Sequence, residues 1–478
     1  MNSYKSIRSL NYTTILSFFN KLVLFLYAWL LMFDFSRYYD EQHPFVYLCI
    51  SLFVRLILLV ICAFKIVYYF KTNKEYSVFS VLLIFFSVLL HYIKFDFNVN
   101  LFFSQFPIMF ILAITLVASY KINFEHIAKT YIITILPLLF FRMIYACMGI
   151  FPNKILHTGK GDMWTFGLGS HNTPYKWIFY MILCLFYLIR NNSAKIKIIV
   201  SIATSFLVVF IYSLTLSTSA ALVLIYCCLG YIILTILCAK KSRLSSNLLT
   251  IFKYTTVTIP VLSVPVSIVG AIYYNYNIHI NGMHKVNTFF NRFRQFSIDC
   301  ALHGIHLPWE IDEYADQYNG LSFNWFIGDE SLSQYNDNYI HYVFIMYGII
   351  VMILFVAMFQ TIAIKAFKNN DYYLLLFMSS IIMYGMMEHV LVYIGWNTFL
   401  LYPFCNHSDS AHQLDSVRIP LKKRCTQLII PILLNILVFI YIRFMCHETF
   451  AYAWFLTSCL AIMTFIYFYF KQPSDMTQ

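Results

Sequence analysis

Long apolar runs alternate with short polar connections from one end of this chain to the other. About fourteen of the runs are long enough to cross a hydrocarbon layer of about 30 Å as helices. Backbone groups in lipid need partners within the segment, and the runs lack the alternation of barrel strands, so helices are predicted. The predicted spans lie near residues 14–33, 45–70, 76–95, 99–119, 128–150, 174–190, 196–214, 217–239 and 252–274, then 339–359, 372–388, 390–405, 426–444 and 450–470. The fold class expected is an all-α polytopic membrane protein with one large outer loop. The pattern divides it into an N-terminal membrane block (1–274), the loop (275–338), a C-terminal membrane segment (339–405), and a cytoplasmic loop with two more spans (406–478). The helices predicted over 372–405 are short and meet around Glu388, His389 and Trp396. That predicts a break or re-entrant turn enclosed by protein or a wet cavity.

Composition sharpens this picture. The chain is 60% hydrophobic and 11% charged, against about 25% charged residues in soluble domains, which excludes a water-soluble globule. The formal charge of +12 does not point to nucleic acid, because the basic residues fall mostly in alternate short connections. Lys71 and Lys74, Arg190 with Lys195 and Lys197, Lys240 with Lys241 and Arg243, and Lys365 with Lys368 share one side if both termini are cytoplasmic. Lys5 and Arg8 precede an apolar run without a small-residue cleavage site, so a retained first span is expected. The 12 cysteines include no CxxC pair and read as small buried hydrophobes.

The polar segment after residue 275 is too long to be an ordinary connection, and its Trp309, Trp325 and other aromatic residues argue against a spacer. It is read as a folded cap or active-site wall on the outer side. Ionisable residues inside spans are costly and mark candidate sites. Lys21 and Lys65 are expected to snorkel to the interface. Arg55 is open between a structural pair and an anionic ligand. Arg142 lies in the outer half of the fifth span, just before TFGLGSHNTPYKW. There Asn172 or Thr173 can cap the helix that begins with Pro174. Capping leaves His171 and the Gly167, Gly169 pair unexplained, whereas an anion at the helix start would use them. The SLTLSTSAALVLIY stretch reads as close helix packing. At the loop's end, Asp337, Asn338, Tyr339 and His341 open the tenth span, with Asp337 and His341 at i, i+4 spacing. Asp337 is open between a simple cap and part of a site. Glu388 and His389 end the eleventh span.

The outer set therefore joins cations (Arg142, Arg292, Arg294) with candidate bases (Asp337, His171, His341, Glu388). Arginine grips phosphate through a bidentate fork and can neutralise a departing pyrophosphate. A carboxylate or histidine can take the proton of an attacking sugar hydroxyl. No zinc or calcium spacing, Walker or dinucleotide fingerprint, or serine-hydrolase elbow occurs.

Together, the basic fifth span, FGLGSHNTPY, the STSAAL turn, FFNRFRQF, DNYIHYVFIMYGII and MMEHVLVYIGWNTFLL resemble the Wzy polysaccharide polymerases of capsule and O-antigen assembly, over residues 130–405. The chain departs from that family's pattern where His171 and Asn172 are adjacent rather than His-Pro-Asn, and where Thr218 replaces a frequent arginine. The resemblance implies a GT-C-like architecture in a bacterial cytoplasmic membrane and a metal- and cofactor-independent glycosyltransferase. The enzyme would move a growing glycan from undecaprenyl pyrophosphate to a lipid-linked repeat unit. A chain-length regulator and a flippase are the implied partners, with membrane lipid around them and no nucleic acid. Carried over by position, Arg142 and Arg292, then Arg294, contact pyrophosphate; His171, Asn172, Asn338 and Tyr339 bind substrate; Asp337, His341 or Glu388 is the base. The competing readings are an O-antigen ligase and a lipid-linked oligosaccharide flippase or other transporter.

Overall fold

The computed structural model describes residues 2–36, 44–70, 72–94, 108–149, 155–158, 161–166, 168, 172–240, 242–275, 338–388, and 391–406 except 392 and 396. The predicted loop from 276 to 337 and the two predicted spans after residue 406 lie outside the described residues.

The described chain is a multi-pass helical membrane protein. Its helices are α1 (Asn2–Ser36), α2 (Pro44–Phe70), α3 (Lys74–Lys94), α4 (Ile108–Ala118), α5 (Phe124–Cys147), α6 (Thr173–Ile189), α7 (Ala194–Thr215), α8 (Thr218–Ala239), α9 (Arg243–Val257), α10 (Ile259–Asn275), α11 (Tyr339–Lys368) and α12 (Tyr372–Gly385). Among the described residues six helices are long and apolar enough to cross a membrane. Counting α9 and α10 as one span bent by 56° makes seven. The expectation of an all-α chain needs one amendment: Ile155–Thr158 (β1) and Gly161–Trp164 (β2) form a small antiparallel hairpin between α5 and α6.

Contacts divide the chain into two compact units. The first contains α1, α2, α4, α5, the hairpin, α6 and a 3-10 turn over Thr398–Phe404; the second contains α7 to α12 and the segment to Asn397; α3 straddles the division.

In the first unit, α5 packs on α1 and α6. α5 and α6 run antiparallel, as the Phe124–Tyr187 ring pair at 4.9 Å, the Tyr131–Trp177 pair at 6.4 Å and the Glu125–Arg190 ion pair at 3.5 Å require. Lys65 corrects the expectation of snorkelling. It is fully buried, and its Nζ donates to the carbonyls of Ala118 at 2.6 Å and Tyr120 at 3.0 Å. Those are the carbonyls at the end of α4, where a cation also complements the helix dipole.

A second correction concerns residues 390–405. No α-helix forms among their described members. α12 stops at Gly385, irregular backbone follows, and the chain resumes as the 3-10 turn containing Pro403. The turn's end is claimed by strand-like bonds to the α4–α5 connection: Lys121 N to Phe404 O at 3.0 Å and Asn406 N to Ile122 O at 2.8 Å. The predicted break is thus present, and it consumes the following helix as well.

In the second unit, α8 packs on α7 and α12, and α11 packs on α10 and α12. Ala220 and Ala221 at the start of α8 are buried, in keeping with the close packing expected of the small-residue turn.

Candidate functional site

The described candidate residues fall into two clusters, one in each unit. In the second unit the centre is the N-terminus of α11. Asn338 caps it: Oδ1 accepts from Ile340 N at 2.9 Å and His341 N at 3.4 Å. Asn338 Nδ2 donates to Ser267 Oγ at 3.0 Å, and the next hydroxyl, Tyr339 OH, meets Ser263 Oγ at 2.7 Å. Ser263 and Ser267 lie at i, i+4 on α10 and so share a face. The capping reading of Asp337 is therefore corrected: Asn338 is the cap. Asp337 precedes the helix, so its i, i+4 relation to His341 does not place the two on one helical face. Asp337 itself lies outside the described residues.

The end of α12 meets this start. A Cβ on Gly385 would collide with Leu391 and stand 3.0 Å from Tyr339 Cδ1, so only glycine admits the approach. Three residues later comes Glu388, 3% exposed, while His341, in the first turn of α11, is 1% exposed. Tyr342 OH bonds Tyr393 OH at 2.9 Å, which pins the irregular segment to the same turn. Asn397 Nδ2 donates to Leu391 O at 3.0 Å, leaving the buried Oδ1 without a hydrogen bond. Further along, Gly348 interrupts α11 at φ 77°, ψ 177°, a conformation that favours glycine. A carboxyl, an imidazole, three tyrosines and two asparagines thus belong to the region where three helices and an irregular segment meet.

In the first unit the cluster surrounds the start of α6. The register of α5 against α6 places Thr134 opposite Thr173, each one turn beyond the Tyr131–Trp177 contact. Arg142 lies about 12 Å further along α5. Both Arg142 and Lys176 are buried. The hydroxyls of Thr134, Thr165 and Thr173 are also buried, and none has a hydrogen-bond partner. Asn172 departs from expectation: it stands at the N-cap position but forms no side-chain cap, while Pro174 occupies the first turn as predicted. Its backbone is helical (φ −80°, ψ −23°), whereas capping needs the extended conformation that turns the side chain onto the next amides. Of the two cations only Lys176 lies in the first turn of α6.

His171, Arg292 and Arg294 lie outside the described residues, as do Gly167, Gly169 and His389. Sequence reasoning missed Lys176, Ser263, Ser267, Tyr393 and Asn397. Lys176 had a signal, a lysine within the first turn of an apolar helix, and the two serines had their i, i+4 spacing. Among the described residues no group of three His, Cys, Asp or Glu side chains could hold a metal ion. No protein-family model matches the chain, and comparison with characterised proteins and with solved structures finds no match.

Proposed function

We propose that the protein polymerises undecaprenyl-pyrophosphate-linked oligosaccharide repeats into a surface polysaccharide, of the O-antigen or capsular kind, at the outer face of a bacterial cytoplasmic membrane. The observation that carries this reading is the burial of both Glu388, three residues after the glycine that meets Tyr339, and His341 in the first turn of α11. A carboxyl withdrawn from both water and lipid is costly and suits proton transfer. In the step proposed, a sugar hydroxyl oxygen of the acceptor repeat bonds to the anomeric carbon of the donor glycan. The anomeric C–O bond to pyrophosphate breaks, and the hydroxyl proton passes to Glu388, His341 or Asp337. The leaving pyrophosphate stays on its lipid, and Arg142, with Arg292 and Arg294, is assigned to it. Asn338 and Tyr339, held by α10, position the helix start.

Deleting the protein from its host tests the reading. Single lipid-linked repeats should persist while long chains vanish. Full-length polymer retained on its carrier would instead indicate a ligase.

One observation favours a transporter as the second reading. The 56° bend between α9 and α10 and the Gly348 interruption of α11 are broken helices, which transporters use at binding sites. Repeats trapped on the cytoplasmic leaflet in the deletion strain would select it.

A further inference from the structure

α9 is one of the short helices of the second unit. Its 15 residues cover about 22 Å, short of the hydrocarbon thickness. Its first turn and its Lys253 lie at one end of the second unit. Ser245 Oγ donates to Lys240 O just after α8, and Lys253 Nζ donates to Asn370 Oδ1, just past α11, at 2.6 Å. The last turn of α8 is itself at that end, since Thr235 Oγ1 meets Tyr373 OH at the start of α12 at 3.2 Å. α9 therefore begins at that end and rises beside α11, where Gln360 Nε2 donates to Val257 O at 3.0 Å, before the chain turns through 56° into α10.

Three faces run along it. Ser245, Phe252 and Thr256 face the protein, and Ser245 and Thr256 are buried. Leu244, Leu248 and Ile251 recur at i, i+4, i+7 on a second face and are 69%, 42% and 60% exposed. Arg243, Ser246, Thr250 and Lys253 occupy the third. The surroundings are basic: Lys240, Lys365 and Lys368 are exposed at the same end, between residues 192 and 275 the chain has no Asp or Glu, and Asp371 is engaged in capping α12 through Leu374 N at 2.9 Å. A short helix with an exposed apolar stripe, a basic polar face and a protein-facing flank fits a membrane interface.

We propose that α9 enters the membrane at the interface and binds anionic phospholipid headgroups, its Leu244–Leu248–Ile251 stripe entering the acyl layer and Lys240, Arg243 and Lys253 meeting the phosphates. The headgroup contact then sits on the element that continues into α10, which holds Asn338 and Tyr339.

The test uses full-length protein with its native cysteines replaced, in vesicles of phosphatidylcholine with or without phosphatidylglycerol. Nitroxides on Leu248→Cys and Ile251→Cys should collide with oxygen and be shielded from a water-soluble nickel chelate, and nitroxides on Ser246→Cys and Thr250→Cys should behave oppositely. Ready collision of the stripe with nickel would place α9 in water. Shielding of the stripe from both reagents would mean that a protein or a second copy covers it. Either result overturns the proposal. The headgroup claim is read from spin-labelled lipids: phosphatidylglycerol should be enriched over phosphatidylcholine at the protein. Changing Lys240, Arg243 and Lys253 to Gln should reduce that preference by up to about fivefold per cation at low salt. Raising salt from about 0.1 M to about 0.5 M should weaken the preference of the unaltered protein as well. Equal association of both lipids with the unaltered protein overturns the claim without reference to any variant.

Discussion

α11 begins at Asn338 and α6 at Asn172, and the two asparagines share φ −80° while ψ is 125° at the first and −23° at the second. That single torsion decides what each helix start can do. At α11 the side chain folds onto the amides of Ile340 and His341, Ser267 holds its other end, and the positive pole of the helix is used within the protein. At α6 the Asn172 side chain makes no cap bond, and Thr173 keeps a buried hydroxyl without a hydrogen bond among the described residues. The lesson is chemical. A capped start fixes neighbouring groups such as His341 in place, whereas a start that its own N-cap side chain does not close leaves its amides to other partners.

The comparison breaks first at the ionisable groups, where effects are largest. If Glu388 acts as base beside the closed start, Glu388→Gln should lower turnover about a hundredfold or more with substrate affinity held. A fall in protein abundance instead would make Glu388 structural and pass the role to His341 or Asp337. On the open side, Arg142→Lys keeps the charge but loses the planar fork, so it should weaken lipid-pyrophosphate binding by about tenfold, and Arg142→Ala by more. Equal binding by all three proteins would remove Arg142 from the anion site.

Smaller effects concern stability. Gly385→Ala should cost about 1–3 kcal/mol, read as a lower thermal midpoint in detergent, because the new methyl meets Leu391 and Tyr339. Asn338→Ala should cost about 1 kcal/mol through the lost cap. An unchanged midpoint would remove the cap at Asn338 from the account. Thr173→Val is the mildest change. It replaces a hydroxyl that makes no bond, so stability should hold or rise slightly while anion binding weakens.

Much of the helical layout is legible in the apolar pattern because lipid leaves the backbone few options. The spans read at 196–214 and 217–239 are α7 (Ala194–Thr215) and α8 (Thr218–Ala239) within two residues. The pattern fails where distant bonds decide. Residues 390–405 are apolar enough for a helix, yet their end pairs with the α4–α5 connection, whose partners Asn123 and Asn406 are far apart in sequence. Lys65 near a helix end reads as snorkelling, since nothing local reveals that the carbonyls of Ala118 and Tyr120 will accept from it. The candidate site shows the same division. Burial of His341, Glu388 and Arg142 follows from their place in apolar runs, whereas the difference between the two asparagine caps is a backbone torsion that residue identity does not specify.

The most direct test of the central claim supplies purified protein in liposomes with undecaprenyl-pyrophosphate-linked repeat units as the sole glycan and resolves the products by size. The account predicts a ladder of lengthening lipid-linked glycans from the unaltered protein and unextended repeats from Glu388→Gln. Unextended repeats from a folded, unaltered protein, or the same ladder from both, would contradict it.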